Sequence, residues 1–245
     1  MGKRVTISVL QQMKRDGRKI VGVVAWDFQI ASIADRAGVD LISVGDSVGV
    51  NLWGHATDTE VTVDEMLICC KAVRRGAKRA LVSCDVPYGP VHAGVDTAVQ
   101  AALRLAGEGG AEMVKIHGDA NMVRAIVRSG VPVFAEFHGE NVPVGRLVDQ
   151  AKRLQDVGAS LLDFRHSGPV AGPAVAGAVS IPVIGGLGGG PWLDGRVRLA
   201  QTAIGYAAKW IDSATETYGN AAKLSLDAFR ALIDDVRAGR QIKGG

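Results

Sequence analysis

Short apolar runs alternate with amphipathic segments along most of this chain. Each run is bounded by glycine or a polar residue, and its length fits a strand that is buried on both faces of a parallel sheet. The pattern predicts strands at 20–26, within 41–49, and at 79–84, 113–116, 131–137, 160–164, 181–185 and 196–200, the last of them weak.

The segments between these runs have helical periodicity and helix end signals. Ser8-x-x-Gln11 and Thr62-x-x-Glu65 match the capping box that begins a helix, and Gly17 and Gly76 are the expected ends of those two helices. Further helices are predicted at 30–37, 96–106, 121–128, 146–157 and 221–238. Strands that alternate with helices at this spacing predict a (β/α)8 barrel, a TIM barrel, as one domain over 1–245. An open doubly wound sheet is the alternative, because the eighth strand is weak.

Composition narrows the classes of function. With 245 residues, of which 47% are hydrophobic, the chain can form one large α/β domain. The net charge is only +3, and the basic cluster at 71–79 has no interleaved aromatic residues, so we expect no nucleic-acid partner. No stretch approaches a membrane span or a secretory signal. Three cysteines without a CxxC motif favour a reducing compartment, and we predict a cytoplasmic protein.

Acidic and basic side chains follow several of the predicted strands. In a parallel barrel the carboxyl ends of the strands meet at one rim, where active sites form. Asp46 and Asp85 are hard oxygen ligands that suit Mg²⁺ or Mn²⁺, and His117 as a third ligand would favour Mn, Fe, Co or Zn. For any one of these residues the alternative is a helix cap or a surface position. The rim set consists of Asp27, Asp46, Asp85, His117, Glu136 and Arg165.

Lys115 lies between Val114 and Ile116 in a predicted strand, so its side chain is expected to face the barrel interior. A buried lysine requires an anion, which could be a substrate carboxylate or a metal-ligand acid. The alternative is a lysine that reaches solvent from the outer face. The glycine-rich loop at 185–190 lacks the register of a dinucleotide-binding motif.

Several blocks of this sequence resemble one family, the ketopantoate hydroxymethyltransferases. They are VGDSVG at 44–49, KAVRRGAKRALV at 71–82, AEMVKI at 111–116, SIPVIGG at 180–186 and DGRV at 194–197. The resemblance implies a (β/α)8 barrel of the phosphoenolpyruvate mutase and isocitrate lyase superfamily, with Mg²⁺, a tetrahydrofolate one-carbon donor, a small 2-oxo acid substrate and a homodecamer. It also implies that Asp46 and Asp85 bind the metal, and that Ser47 and Lys115 contact the 2-oxo acid.

The chain departs from the family at three site positions. His117 stands where the family has a glutamate, Glu136 where it has a histidine, and Arg165 where it has the glutamate that acts as catalytic base. Arginine cannot accept a proton at neutral pH. We therefore expect Glu136 to be the base, with a pKa raised by its apolar neighbours, and Asp163 to be the second candidate. Arg165 would bind an extra carboxylate or phosphate of the substrate, or would pair with Asp163 or Glu136.

Three functions remain open from the sequence. The first is a divergent, metal-dependent aldol-type transferase that acts on a 2-oxo acid. The second is a metal-dependent lyase or mutase of the same superfamily that acts on a more anionic 2-oxo acid. The third is a non-catalytic barrel that retains a metal or ligand site.

Overall fold

Eight parallel strands form a closed barrel in chain order. The computed structural model describes residues 3–117, 119–186 and 188–244; Leu187, in the predicted glycine-rich loop, and Gly118 lie outside the described residues. The barrel prediction is confirmed, and the open-sheet alternative is wrong, because β8 forms and pairs with β7. The strands are β1 Ile20–Val24, β2 Leu41–Val44, β3 Leu81–Asp85, β4 Met113–His117, β5 Val133–His138, β6 Leu161–Arg165, β7 Val183–Gly185 and β8 Gly195–Leu199.

The helices largely follow the predicted amphipathic segments. Thr62 and Glu65 form the predicted capping box, but the first helix begins earlier than predicted, because Thr6 rather than Ser8 accepts the capping hydrogen bond from the Val9 N–H. The helices of the barrel unit are α1 Ile7–Arg15, α2 Phe28–Ala37, α3 Val63–Gly76, α4 Tyr88–Ala93, α5 Val95–Gly107, α6 Ala120–Arg128, α7 Val144–Asp156 and α8 Ala171–Ala178.

Two of these helices were not predicted. Both α4 and α8 are short and contain proline and glycine. In addition, α8 is apolar around most of its circumference. Neither helix therefore shows a repeat of polar and apolar residues at helical period. Tertiary packing rather than local pattern therefore determines them.

The chain divides into two compact units, Met1–Arg198 and Leu199–Gly245. The first contains the barrel. The second contains α9 Ala200–Ala203, a 3₁₀ turn at Ala208–Trp210 and α10 Ala221–Arg237, which Asn220 caps. A single domain over 1–245 stays a prediction. Across the described residues, no helix combines the length and the apolar character needed to cross a lipid bilayer.

The apolar core fills the amino-terminal end of the barrel. Leu10 and Met13 of α1 pack with residues at the starts of the strands, including Ile20, Leu41 and Leu81, all of them buried. Since this end is filled by hydrocarbon side chains, polar side chains of the strands collect at the carboxyl ends.

Candidate active site at the carboxyl ends of the strands

Lys115 of β4 is the centre of a buried group of charges. Its Nζ lies 2.5 Å from Glu136 Oε2, 3.4 Å from Asp163 Oδ2 and 3.7 Å from Asp85 Oδ2. Burial works against the charged ammonium, but the charges of the three carboxylates outweigh burial and raise the pKa of Lys115 well above its usual range. The lysine faces the barrel interior, as predicted, and holds together acids from three other strands.

Asp85, the last residue of β3, has an unsatisfied oxygen. Its Oδ1 is buried and, within the described residues, has no hydrogen-bond partner. Burial raises the pKa of Asp85 to about 7; the charges of Asp46 and Glu136 add to the rise, and Lys115 opposes it. Burial likewise raises the pKa of Asp46, against the opposing charge of Lys115. Both aspartates therefore need a proton or a cation to compensate their charge.

Ser47 borders the same space as Asp85. A Cβ placed on Gly45 would lie 2.9 Å from Val24 Cγ1, 3.0 Å from Ser47 Oγ and 3.7 Å from Asp85 Oδ2, so any larger residue would crowd Val24 and the Ser47 hydroxyl. The buried indole of Trp26 donates from Nε1 to the Gly45 carbonyl at 2.9 Å and fixes this turn. The local sequence thus holds Asp46 and Ser47 just beyond the tip of β2.

Glu136 of β5 has the opposite protonation behaviour to Asp85. Burial would raise its pKa, but the nearby His117 and the charges of Lys115 and Arg165 lower the pKa of Glu136 well below its usual range. Arg165 Nη1 donates to Glu136 Oε1 at 2.8 Å. The expectation that apolar neighbours raise this pKa is therefore wrong, because direct ion pairs outweigh burial. The pairing of Arg165 with Glu136 is the contact that the sequence left open.

Two histidines join Glu136. His138 Nε2 lies 3.1 Å, and His117 Nδ1 3.8 Å, from Glu136 Oε1. One ligand atom from each of these three residues lies within 4.8 Å of the other two, a spacing at which they could hold a metal ion. His117 and Glu136 are register partners across β4 and β5. The structure thus brings the predicted ligand His117 together with Glu136 and His138.

Two further residues at this rim were not predicted. His138 follows Glu136 by two positions, and this period of two, which places both on one face of β5, was an available signal. His166 follows β6 with a left-handed φ of 51°, and its Nδ1 lies 3.3 Å from Glu140 Oε1. Nothing local indicates that position. Conversely, Asp27 of the predicted rim set caps α2, since its Oδ1 accepts from the Ile30 N–H at 2.9 Å.

Several solved structures have a similar fold. A phosphonopyruvate hydrolase complex with oxalate and Mg²⁺ has a TM-score of 0.65 at 14% identity, covering 96% of this chain and 88% of that one. A 2,3-dimethylmalate lyase, described as a PEP mutase/isocitrate lyase superfamily member, has a TM-score of 0.63 at 13% identity, covering 100% and 93% of the two chains. At these identities the similarity establishes the fold.

Similarity in sequence is stronger and spans the chain. The family model for ketopantoate hydroxymethyltransferase matches residues 4–241. A 3-methyl-2-oxobutanoate hydroxymethyltransferase from Cyanothece sp. is 35% identical over 95% of this chain and 96% of its own length. One from Geobacter sulfurreducens is 34% identical over 98% and 96%. The match confirms the predicted resemblance and an enzyme of the hydroxymethyltransferase type: this chain belongs to the ketopantoate hydroxymethyltransferase family.

Proposed function

We propose that this chain catalyses a metal-dependent, aldol-type transfer of a hydroxymethyl group to a small 2-oxo acid. The observation that carries the proposal is Asp85, a buried carboxyl group at the tip of β3 with a raised pKa and one oxygen that has no hydrogen-bond partner among the residues that the structure describes. Two buried acids with raised pKa values, Asp46 and Asp85, in the field of the charged Lys115 are the arrangement expected where a cation and an anionic substrate bind side by side.

The charges of the site support a divalent cation. Four carboxyl groups face two permanent cations, which leaves a deficit of two positive charges when all four acids are ionised. The acids are Asp46, Asp85, Glu136 and Asp163, and the cations are Lys115 and Arg165. We assign the ion to Asp46 and Asp85, whose oxygen ligands suit Mg²⁺ or Mn²⁺. When bound, such an ion supplies the Lewis acidity that polarises a 2-oxo group and acidifies the protons at C3. Zn, Fe or Co would instead favour a position that includes His117.

We propose that Ser47 and Lys115 orient the 2-oxo acid. The hydroxyl of Ser47 and Oδ2 of Asp85 both lie within 4 Å of the position that a Cβ on Gly45 would occupy, and the ammonium of Lys115 lies 3.7 Å from the same carboxylate. Both groups therefore lie next to the proposed ion and can donate to a carboxylate or a carbonyl oxygen.

Removal of the C3 proton requires a carboxylate whose basicity is not suppressed by close ion pairs. Within the described residues, Asp163 has one cationic neighbour within 4 Å, Lys115, whereas Glu136 contacts Lys115 and Arg165 directly. A carboxylate with a strongly lowered pKa is a weak base. We therefore place Asp163 ahead of Glu136 as the base, the reverse of the order favoured by the sequence. The C3–H bond breaks as Asp163 takes the proton, and the C3 electron pair forms the bond to the formaldehyde carbon. The π electrons of the formaldehyde C=O bond move to its oxygen, and the resulting alkoxide takes the proton back from Asp163.

Proton exchange at C3 in D₂O tests this proposal. We expect NMR to show exchange in 2-oxo acids that requires Mg²⁺ or Mn²⁺, and we expect added formaldehyde or methylenetetrahydrofolate to give the hydroxymethylated product. Asp163→Asn should slow exchange by about 100-fold or more, the usual contribution of a general base. Glu136→Gln should slow it less.

Each contrary result has a distinct meaning. Cleavage of a larger oxo acid without any one-carbon donor would favour the lyase or mutase alternative. Full exchange in Asp163→Asn, with none in a folded Glu136→Gln variant, would return the base to Glu136. Exchange that is insensitive to chelators, or absent from every acid tested, would refute the transferase proposal.

We propose a cytoplasmic homo-oligomer with a small-molecule substrate. The three cysteines, Cys69, Cys70 and Cys84, are free and buried, in keeping with a reducing compartment. A decameric state is what the family resemblance implies, and sedimentation velocity would test it.

A further inference from the structure

Basic side chains lie along one part of the barrel rim, at the carboxyl ends of strands β4, β5 and β6. We name His117, His138, Arg165 and His166 the basic arc. The His138 ring centroid lies 5.1 Å from that of His117 and 6.3 Å from that of His166, and His138 is the register partner of Arg165. The two aspartates assigned to the ion instead follow β2 and β3. The site thus has an acidic side and a basic side.

Arg165 has binding capacity left on this arc. Its guanidinium carries five N–H donors in a fixed fork. In the part of the chain that the structure describes, Nη1 donates to Glu136, and Nε and Nη2 have no hydrogen-bond partner. The side chain is 30% exposed, so an entering molecule can reach it.

Glu136 has a second cationic neighbour besides Arg165. Lys115 Nζ already lies 2.5 Å from Glu136 Oε2, on the carboxylate oxygen opposite the one that Arg165 contacts. Arg165 contacts only one oxygen of Glu136 and uses one nitrogen to do so. Its other N–H groups can therefore bind an anion that is not part of the described chain.

From this geometry we infer that the site takes a 2-oxo acid with a second carboxylate at its far end, which Arg165 binds with its free N–H groups. This inference rests on the proposed function, because it assumes that the 2-oxo end lies at Asp46 and Asp85. His138, 39% exposed on the neighbouring strand, is in position to add a donor. A branched apolar end would instead remove water from Nε and Nη2 of Arg165 without giving them an acceptor, which is costly.

A matched pair of substrates isolates the distal carboxylate. 2-Oxoglutarate and 5-methyl-2-oxohexanoate share chain length and shape, but the second carries an isopropyl group in place of the carboxylate. We expect kcat/KM for metal-dependent C3 exchange to be at least about 100-fold higher for the diacid, chiefly through KM, as is typical when a site built for a polar group meets an analogue that lacks it. 2-Oxoisovalerate serves as a third, short monoacid.

Variants at position 165 identify the group responsible. Arg165→Gln should lower kcat/KM far more for the diacid than for the two monoacids, and the ratio of the diacid to 5-methyl-2-oxohexanoate should fall to about one. Arg165→Lys keeps the positive charge but not the planar set of N–H donors, and it should retain part of the preference for the diacid. Arg124→Gln on the exposed face of α6 is the matched control and should retain all of it. Unchanged thermal unfolding of Arg165→Gln would show that the variant is folded.

Three outcomes would overturn the inference. Monoacids that exchange as well as the diacid would refute it and leave the proposed function intact. Absence of exchange with every acid would refute the proposed function. In that case calorimetric titration of the diacid and of 5-methyl-2-oxohexanoate tests the inference separately. Equal binding of the two acids, or no binding of either, would refute the inference. Finally, tight binding of Co²⁺ that is lost in His117→Ala and His138→Ala would show that the arc holds a metal ion and not a carboxylate.

Discussion

Two carboxyl groups at this site show how contacts set the chemistry of a residue. Asp85 and Glu136 are both largely buried, yet the pKa of Asp85 is raised to about 7 and that of Glu136 is lowered. The difference lies in their partners. Glu136 has Lys115 at 2.5 Å and Arg165 at 2.8 Å, whereas Asp85 has Lys115 at 3.7 Å and acidic neighbours. Short ion pairs outweigh burial at Glu136 and do not at Asp85.

A prediction at this scale concerns stability and pH in the metal-free protein. The folded state holds the Asp85 proton up to pH about 7, whereas the unfolded chain releases it near pH 4, so the stabilisation is complete below pH 4 and is lost as the pH rises through 7. The free energy of unfolding of the wild type, relative to Asp85→Asn, should therefore fall between pH about 4 and 7. The fall is at most about 4 kcal/mol. Urea titrations in the presence of a chelator would measure it.

The control is Asp149→Asn, an exposed position on α7. Its free energy of unfolding should follow that of the wild type at every pH. Parallel profiles for the wild type and Asp85→Asn would show that Asp85 ionises normally in the folded protein.

At the scale of elements, the barrel depends on how closely β8 approaches β1. The Ile20 N–H donates to the Asp194 carbonyl at 2.9 Å, next to the start of β8. A Cβ on Gly195 would lie 2.1 Å from the Ile20 carbonyl oxygen and 2.7 Å from Ile20 Cβ. Backbone atoms cannot rotate away as a side chain can. Glycine at this position therefore lets the weakest predicted strand complete the barrel.

Gly195→Ala should lower the free energy of unfolding by about 2–4 kcal/mol, because β1 and β8 must separate to admit the methyl group. Gly177→Ala is the matched control: a Cβ there meets nothing within 4 Å, and the residue is exposed in α8. The control should stabilise the protein by about 0.5–1 kcal/mol, because alanine favours a helix over glycine. Equal effects of the two substitutions on urea unfolding would contradict this account of closure.

At the scale of the whole molecule, the local charge of the site differs from that of the chain. The net charge is +3, yet the four carboxyl groups of the site exceed its two cations, Lys115 and Arg165, by two when all four are ionised. The barrel brings together acids that are far apart in sequence, and their negative charges repel one another. A bound cation would relieve this repulsion.

A divalent ion should consequently stabilise the folded protein. At a Mn²⁺ concentration about 100 times the dissociation constant, the gain is about 2.7 kcal/mol, measured as a rise in the unfolding midpoint. Asp46→Asn and Asp85→Asn should each remove most of this rise, whereas Asp149→Asn should retain it. If the rise survives both substitutions and disappears in His117→Ala, the ion lies with the histidines.

The sequence by itself determined the order of strands and helices, one capping box and the interior position of Lys115. These features depend on neighbours within a few residues, through period, chain length and hydrogen bonds to the nearby backbone. The motifs that resemble the ketopantoate hydroxymethyltransferases also pointed to the family that the comparisons then confirmed. Local pattern did not reveal α4 or α8, since neither repeats at helical period.

Only the tertiary structure decided which charges meet. Strand register around the closed barrel pairs Glu136 with Lys115 and Arg165 and brings His117 and His138 to it. The same register leaves one oxygen of Asp85 without a hydrogen-bond partner among the described residues. A pKa is the sum of burial and of charges contributed by several strands. No single stretch of sequence contains that sum, and the expected pKa of Glu136 was wrong for this reason.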